Sequence, residues 1–316
     1  MSGFTITAGV SFSGGFTFTE GPVPTENTAA WFGGGSGVRS TVQRITYATD
    51  TATASVRGPL SLARSSLAAA SNLTDGWFGG GGGPPFSTVD RITYATDTVT
   101  ASVRGPLSVG TSILAAAGNS DYGWFGGGYS VSPLSKVDRI TYATDTATAS
   151  IRGPLSLARW ILAAAGNSDY GWFGAGNSGA PSYPYHSTVD RITYATDTAT
   201  ASVRGPLTVS TGTLAAVGNT TDGWFGGGGT GAAQLSTVAR ITYATDTATA
   251  SVRGPLSSAS RYLAAAGNDT AGWFSSGQGG GSTVQRVTYA TDTATASVRG
   301  PLSSEVDKFA GAGGIQ

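Results

Sequence analysis

The chain carries one histidine, His186, and no cysteine. Transition-metal centres normally assemble several His or Cys ligands. This inventory therefore excludes thiolate sites, disulfides and thiol catalysis, and a lone imidazole is a poor start for a metal site. A Ser-His-Asp device needs its histidine held beside a nucleophile, whereas His186 sits in GAGNSGAPSYPYHST, which reads as a loop insertion. Carboxylates recur before Trp-Phe pairs, at Asp121, Asp169 and Asp222, in NSDYG or NTTDG contexts. One or two acids per loop fall short of the converging oxygens a calcium site requires, and Asn and Asp in such runs favour turns. Glycine-rich stretches such as Gly79–Gly83 are not followed by the Lys-Ser/Thr of a phosphate-binding loop. The residues that could do chemistry thus predict no enzyme, no metal and no cofactor.

The basic residues are more regular. Twelve of the 18 cations are Arg44, Arg57 and their copies, placed identically in successive segments. Identical placement implies identical local roles, so pairing with Asp50 and its copies or with backbone carbonyls is expected. A ring of arginines gripping an anion is the competing reading. The formal net charge is zero, which offers no basic field for nucleic acid. Charged residues make up 11% of the chain, against about 25% in typical soluble domains. No run of about 20 apolar residues predicts a membrane-spanning helix, and residues 1–18 lack the charged start of a targeting segment.

These residues belong to a repeat. Trp-Phe pairs begin at Trp31, Trp77, Trp124, Trp172, Trp224 and Trp273, in steps of 46, 47, 48, 52 and 49 residues. Such periods fit propeller blades or helical solenoids. Strand signals decide between them, because VDRITYAT alternates sides, TATASVRG is rich in Thr and Val, and turn residues bound both. Each repeat then reads as four strands: LAAAG, GWFGG, VDRITYAT and TATASVRG, with Asp50-Thr51 and its copies as the hairpin turn between the last two. Alanine and glycine, as in Ala115-Ala116-Ala117-Gly118, suit innermost strands crowded around an axis, and Trp-Phe suits the wider space between blades.

The Gly pairs Gly33-Gly34, Gly79-Gly80 and Gly126-Gly127, followed by Tyr47, Tyr94 and Tyr142, resemble the kelch repeat family. The resemblance covers about residues 27–313 and implies a β-propeller. The family's tryptophan in the fourth strand is missing, and the pair becomes Gly174-Ala175 and Ser275-Ser276 in two repeats. Some kelch-fold relatives are copper oxidases that use histidine, tyrosine and cysteine; that set is not present, so the activity does not carry over. The arrangement GWFGGG…RITYATDTATASVRGPLS is also similar to kelch-like proteins predicted in tailed-phage genomes, marine ones especially.

The expected fold is all-β, a six-bladed kelch-like propeller over residues 27–316 with four antiparallel strands per blade. Five LAAAG strands lie between the repeats, and the C-terminal Lys308–Gly313 segment is predicted to pair with the strand around Trp31 and close the ring, which removes free edges. Residues 1–26 are expected to form a short strand extension. Its alternating Phe4, Ile6, Phe12, Phe16 and Phe18 would cover the propeller's own edge or dock onto another protein or subunit. Between repeats, the ATDT turn is constant, while the GPL-to-LAAAG links and the loops after the Gly pair vary and share one face. Varied loops on a rigid scaffold suit recognition. Arg64, Tyr129, Arg159, Trp160, Tyr183, Tyr185, His186 and Arg261 are the aromatic and basic candidates there for a sugar or a protein hot spot. Together with these features, the resemblance to kelch-like proteins predicted in phage genomes implies a phage virion protein on tail, fibre or capsid. Its partners would be other virion proteins, copies of itself or a host surface glycan. The alternative is a free or cell-surface carbohydrate-binding propeller.

Overall fold

The structure, a computed structural model, describes residues 27–82, 84–275, 277–278 and 281–313. Six four-stranded antiparallel sheets follow one another, and their innermost strands contact each other in a closed circle. Blade 2 represents the unit, with strands Ala68–Ser71, Asp75–Gly79, Val89–Thr93 and Ser102–Arg104 from axis to rim. The inner strands are short and, Ser71 and Val217 apart, built of alanine and glycine because six backbones meet at the axis. They enclose a narrow axial cavity of about 100 Å³. No helix among the described residues is long and apolar enough to cross a membrane. The expected N-terminal strand extension, with Phe4, Ile6, Phe12, Phe16 and Phe18, lies outside the described residues.

Blade 1 is completed from both ends of the chain, as expected. Ala310–Ala312 supplies its inner strand and pairs Trp31 with Ala312, Phe32 with Gly311 and Gly33 with Ala310. Phe309, buried, meets the Phe32 ring edge-on at 5.9 Å.

Two strands differ from the sequence reading. The third strand stops at Thr93, and Tyr94–Thr96 forms a 3-10 turn; the outer strand is only Ser102–Arg104. The residues between them bond to the neighbouring blade instead of their own sheet. Ala101 N–H donates to the Pro59 carbonyl at 2.8 Å, and Gly58 N–H donates to the Asp97 carbonyl at 2.8 Å. A Cβ on Gly58 would sit 1.9 Å from the Val99 carbonyl oxygen, so this close approach admits only glycine.

The turn delivers Tyr and Asp to a node between blades. Trp31 stacks on Tyr94 of blade 2 with centroids 3.7 Å apart, and its Nε1–H donates to Asp97 Oδ2 at 2.8 Å. Arg44 and Arg57 of blade 1 reach the same oxygen, at 3.0 and 3.5 Å. The arrangement repeats around the ring. The last set, Trp273, Arg286 and Arg299, reaches back to Asp50 of blade 1. The pairing of the repeated arginines with Asp50 and its copies is thus as expected, but each of these pairs spans two blades; Arg91–Asp75 and Arg240–Asp222 add contacts within a blade. Each aspartate of a node is nearly buried, and two hydrogen bonds plus a second guanidinium at ion-pair distance, as around Asp97, answer the cost of desolvating the charge.

The variable face has its own sixfold device. Ser66, Ile113, Ile161, Thr213, Tyr262 and Lys308 all adopt left-handed backbone, with φ between 54° and 60°. Each N–H donates to the carbonyl of the equivalent residue one blade back, at 2.5–3.1 Å, and Ser66 donates to Lys308 to close the circle. Left-handed geometry is costly for β-branched residues, and the closed rosette of hydrogen bonds holds it. The C-terminal segment therefore completes both the inner strand of blade 1 and this rosette.

Candidate functional site

The residue before five of the six rosette members is held in a further repeated contact. Ser65 bridges Gly82, Ser112 bridges Tyr129, Trp160 bridges Asn177, Gly212 bridges Gly229 and Arg261 bridges Gln278. The backbone frame is common to these five blades, and the side chains placed on it differ. Blade 5 contributes glycine at both positions, Gly212 and Gly229. Its neighbours contribute Trp160 and Asn177 on one side and Arg261 on the other.

A pocket of about 290 Å³ opens where blade 5 withholds side chains. Trp160, Tyr183 and Tyr185 form the blade 4 wall, Arg261 and Tyr262 the blade 6 wall, and Thr213, Gly229 and Gly231 the floor. Gly231 has φ +87°, and a Cβ there would touch the Tyr185 ring at 3.5 Å. Asn177 fixes the blade 4 wall: its Oδ1 accepts from Gly179 N–H at 2.7 Å and from Trp160 Nε1–H at 3.3 Å, and its Nδ2 donates to the Tyr183 carbonyl. Among the described residues, the hydroxyls of Tyr183, Tyr185 and Tyr262 have no protein partner.

The charges are unequally shared. Of the 18 lysines and arginines, Arg39, Arg261 and Lys308 stand outside every ion pair among the described residues, and all three lie on the variable face. Arg261 Nε–H donates to Gln278 Oε1 at 2.8 Å. Its guanidinium carbon lies 5.8 Å from the centroid of the Tyr262 ring, and Lys308 Nζ lies 5.0 Å from the same ring. No acidic residue lines the pocket.

The structure gathers Trp160, Tyr183, Tyr185 and Arg261 of the expected set into this one site. Tyr129 packs on Trp160, centroids 5.6 Å apart, outside the lining. His186 lies behind the wall, its Nε2 3.0 Å from Ser178 Oγ. Burial, and then the Arg159 charge, lower its pKa below the usual histidine value. No carboxylate orients its other ring nitrogen among the described residues, so the Ser178–His186 contact lacks the third member of a triad. No group of three or more potential metal ligands occurs among the described residues.

Arg64 and Arg159 do not belong to the surface. Both are fully buried. Arg64 Nη2 pairs with Asp90 at 2.7 Å, and the guanidinium also donates to the carbonyls of Phe78, Gly80 and Thr88. Arg159 repeats this with Asp190 and the carbonyls of Phe173, Ala175 and Thr188. Burial pushes both guanidinium groups below the ordinary arginine value, and the carboxylates oppose it. The other blades solve the same position differently. Asp138 of blade 3 pairs with Lys136. Gln43 and Gln285 each accept from a serine N–H and hydroxyl, at Ser303 and Ser257. Blade 5 has Ala239 and no charge there, with the Thr208 hydroxyl buried and unpaired.

Sequence reasoning missed Tyr262, Asn177 and the glycines of blade 5. The signal for the glycines was present: Gly212 and Gly229 stand where blade 4 carries Trp160 and Asn177. No protein-family model matches the chain, and no curated protein matches it in sequence; the sequence and the structure together establish a six-bladed β-propeller.

Proposed function

We propose that this chain is a non-enzymatic recognition protein of a phage virion. In this reading the kelch-like propeller is carried on tail, fibre or capsid and presents its variable face to the host surface or to a neighbouring subunit. Attachment would run through residues 1–26, with other virion proteins or further copies of the chain as partners. One observation supports the reading above the others. Six nearly identical nodes make the ring, and blade-specific side chains with unused hydrogen-bonding capacity collect on one face. Rigid scaffolds with varied loops suit binding. The sequence resemblance to kelch-like proteins predicted in phage genomes supports the setting. Mass spectrometry of purified virions tests it: the chain is expected among the structural proteins, and its absence there sinks the proposal. Removing residues 1–26 is expected to leave a folded propeller that no longer incorporates.

The aromatic pocket favours a second reading, a free or cell-surface carbohydrate-binding propeller. It differs from the first in location, and the same virion measurement separates them.

A further inference from the structure

We infer that the pocket between blades 4 and 6 binds a carboxylated sugar, such as a uronic acid residue of an acidic polysaccharide. This deepens the recognition reading above by naming a site and a ligand class.

The size comes first. A volume of about 290 Å³ lies at the small end of ligand pockets, which run from ~300 to ~1,000 Å³. That suits one or two sugar rings and is too small for a folded partner's surface. The lining chemistry comes second. Trp160, Tyr183, Tyr185 and Tyr262 line it with aromatic rings, and the three tyrosine hydroxyls have no protein partner among the described residues. A pyranose has the matching pattern, with C–H faces that pack on aromatic rings and a rim of hydroxyls that exchange hydrogen bonds. A lipid tail would leave the phenolic hydroxyls unpaired, which is unfavourable on desolvation.

The charge comes third. Arg261 lines the pocket without a carboxylate partner, although most arginines of this protein have one. Lys308 Nζ lies 5.0 Å from the centroid of the Tyr262 ring, and no acid lines the wall. A half-buried guanidinium in this setting calls for an anion, and its planar fork fits a carboxylate. Gln278 holds Arg261 Nε, which leaves the terminal nitrogens for a ligand.

Blade 5 supplies an internal control. Gly229 occupies the bridge position held by Asn177 in blade 4 and Gln278 in blade 6. Its φ is not in the left-handed region, and a Cβ there would sit 3.0 Å from the Ala233 carbonyl oxygen, so the loop must give by a few tenths of an ångström. With that adjustment Gly229→Gln should fold and place a side chain in the pocket.

The experiment is calorimetric titration of the full chain. The probes are oligosaccharides of galacturonate and glucuronate, against neutral oligosaccharides of galactose and glucose of equal length. At least one acidic probe is expected to bind with Kd in the ~μM to ~mM range. Arg261→Gln should weaken it roughly tenfold or more, as loss of a charge-assisted hydrogen bond does, and Gly229→Gln should abolish it. Arg39→Gln, which removes an unpaired cation outside the pocket, should bind like wild type. Thermal melts of all three should match wild type. Absence of acidic-probe binding at ~mM concentration overturns the inference. So do equal binding of neutral and acidic probes, binding that survives Gly229→Gln, and equal losses from Arg39→Gln and Arg261→Gln. These outcomes concern the isolated chain, so they stand or fall separately from its presence in virions.

Discussion

The nodes between blades and the pocket between blades 4 and 6 are made of the same residue types and behave oppositely. In a node, tryptophan stacks on tyrosine, and its N–H and two arginines converge on one nearly buried aspartate oxygen, as around Asp97. In the pocket, Trp160, three tyrosines and Arg261 face one another with no carboxylate among them. The node turns its tryptophan N–H and its guanidinium groups onto a shared carboxylate and so fixes one blade against the next. The pocket has no such carboxylate: neutral amides hold Trp160 Nε1–H and Arg261 Nε–H, and the three tyrosine hydroxyls have no protein partner among the described residues. Residue type alone does not distinguish holding the ring from contacting a ligand; the supply of partners does.

That comparison can be broken most forcefully at the closure. Deleting residues 304–316 removes the inner strand of blade 1, buried Phe309 and the last rosette member. The loss should exceed the about 3–5 kcal/mol of a core phenylalanine. With ~2–4 °C per kcal/mol for chains of this order, the midpoint should fall by roughly 10 °C or more, in one transition. A truncated chain that melts like wild type would show that the C-terminal segment does not hold the ring.

The buried Arg64–Asp90 pair gives the next largest effect. Arg64→Ala strands a fully buried carboxylate and should cost about 3–5 kcal/mol. The double variant Arg64→Ala/Asp90→Ala imitates blade 5, where Ala239 carries no charge, and should recover a large part of that loss. Equal destabilisation of the single and double variants in urea melts would mean that the pair is not what the site requires. By contrast, Tyr183→Ala in the pocket should stay within about 0.5 kcal/mol of wild type, as exposed substitutions usually do.

The smallest expected effect lies at the rosette. Thr213→Gly relieves a left-handed β-branched residue and keeps the ring of backbone bonds. It should stabilise by up to about 1 kcal/mol, less the added freedom of the unfolded glycine. A clear loss in stability would show that the threonine side chain, and not the backbone ring, matters there.

Much of this architecture was legible in the chain. The Trp-Phe period counted the blades, small residues marked the inner strands, and Lys308–Gly313 marked the closure. What was not legible has physical causes. All six repeats carry the same Arg and Asp, so the sequence cannot tell whether a pair forms within a blade or across two. Tyr94 reads as part of a strand because ITYAT is strand-like, yet it leaves the strand in a turn and stacks on Trp31 of the preceding blade. Arg64 and Arg159 lie in variable links and look exposed; their buried partners Asp90 and Asp190 sit in strands that also exist without them, as Asp138 does. The rosette uses Ser, Ile, Ile, Thr, Tyr and Lys where turn chemistry would favour Gly or Asn, because hydrogen bonds around the axis override local preference. The pocket was half legible. Its aromatic and basic side chains stood out, while the blade 5 glycines that make room for them carry no chemistry of their own.

The split between structural and available residues is tested most directly within blade 4, which holds one tryptophan of each kind. Trp172 is fully buried in a node, stacked on Tyr243 and bonded to Asp246; Trp160 lines the pocket. Parallel thermal melts of Trp172→Ala and Trp160→Ala should give a fall of roughly 6–10 °C for the first, from about 3–5 kcal/mol of lost core. The second should fall by no more than ~3 °C, or about 1 kcal/mol. Equal falls, or a larger one for Trp160→Ala, would contradict the account.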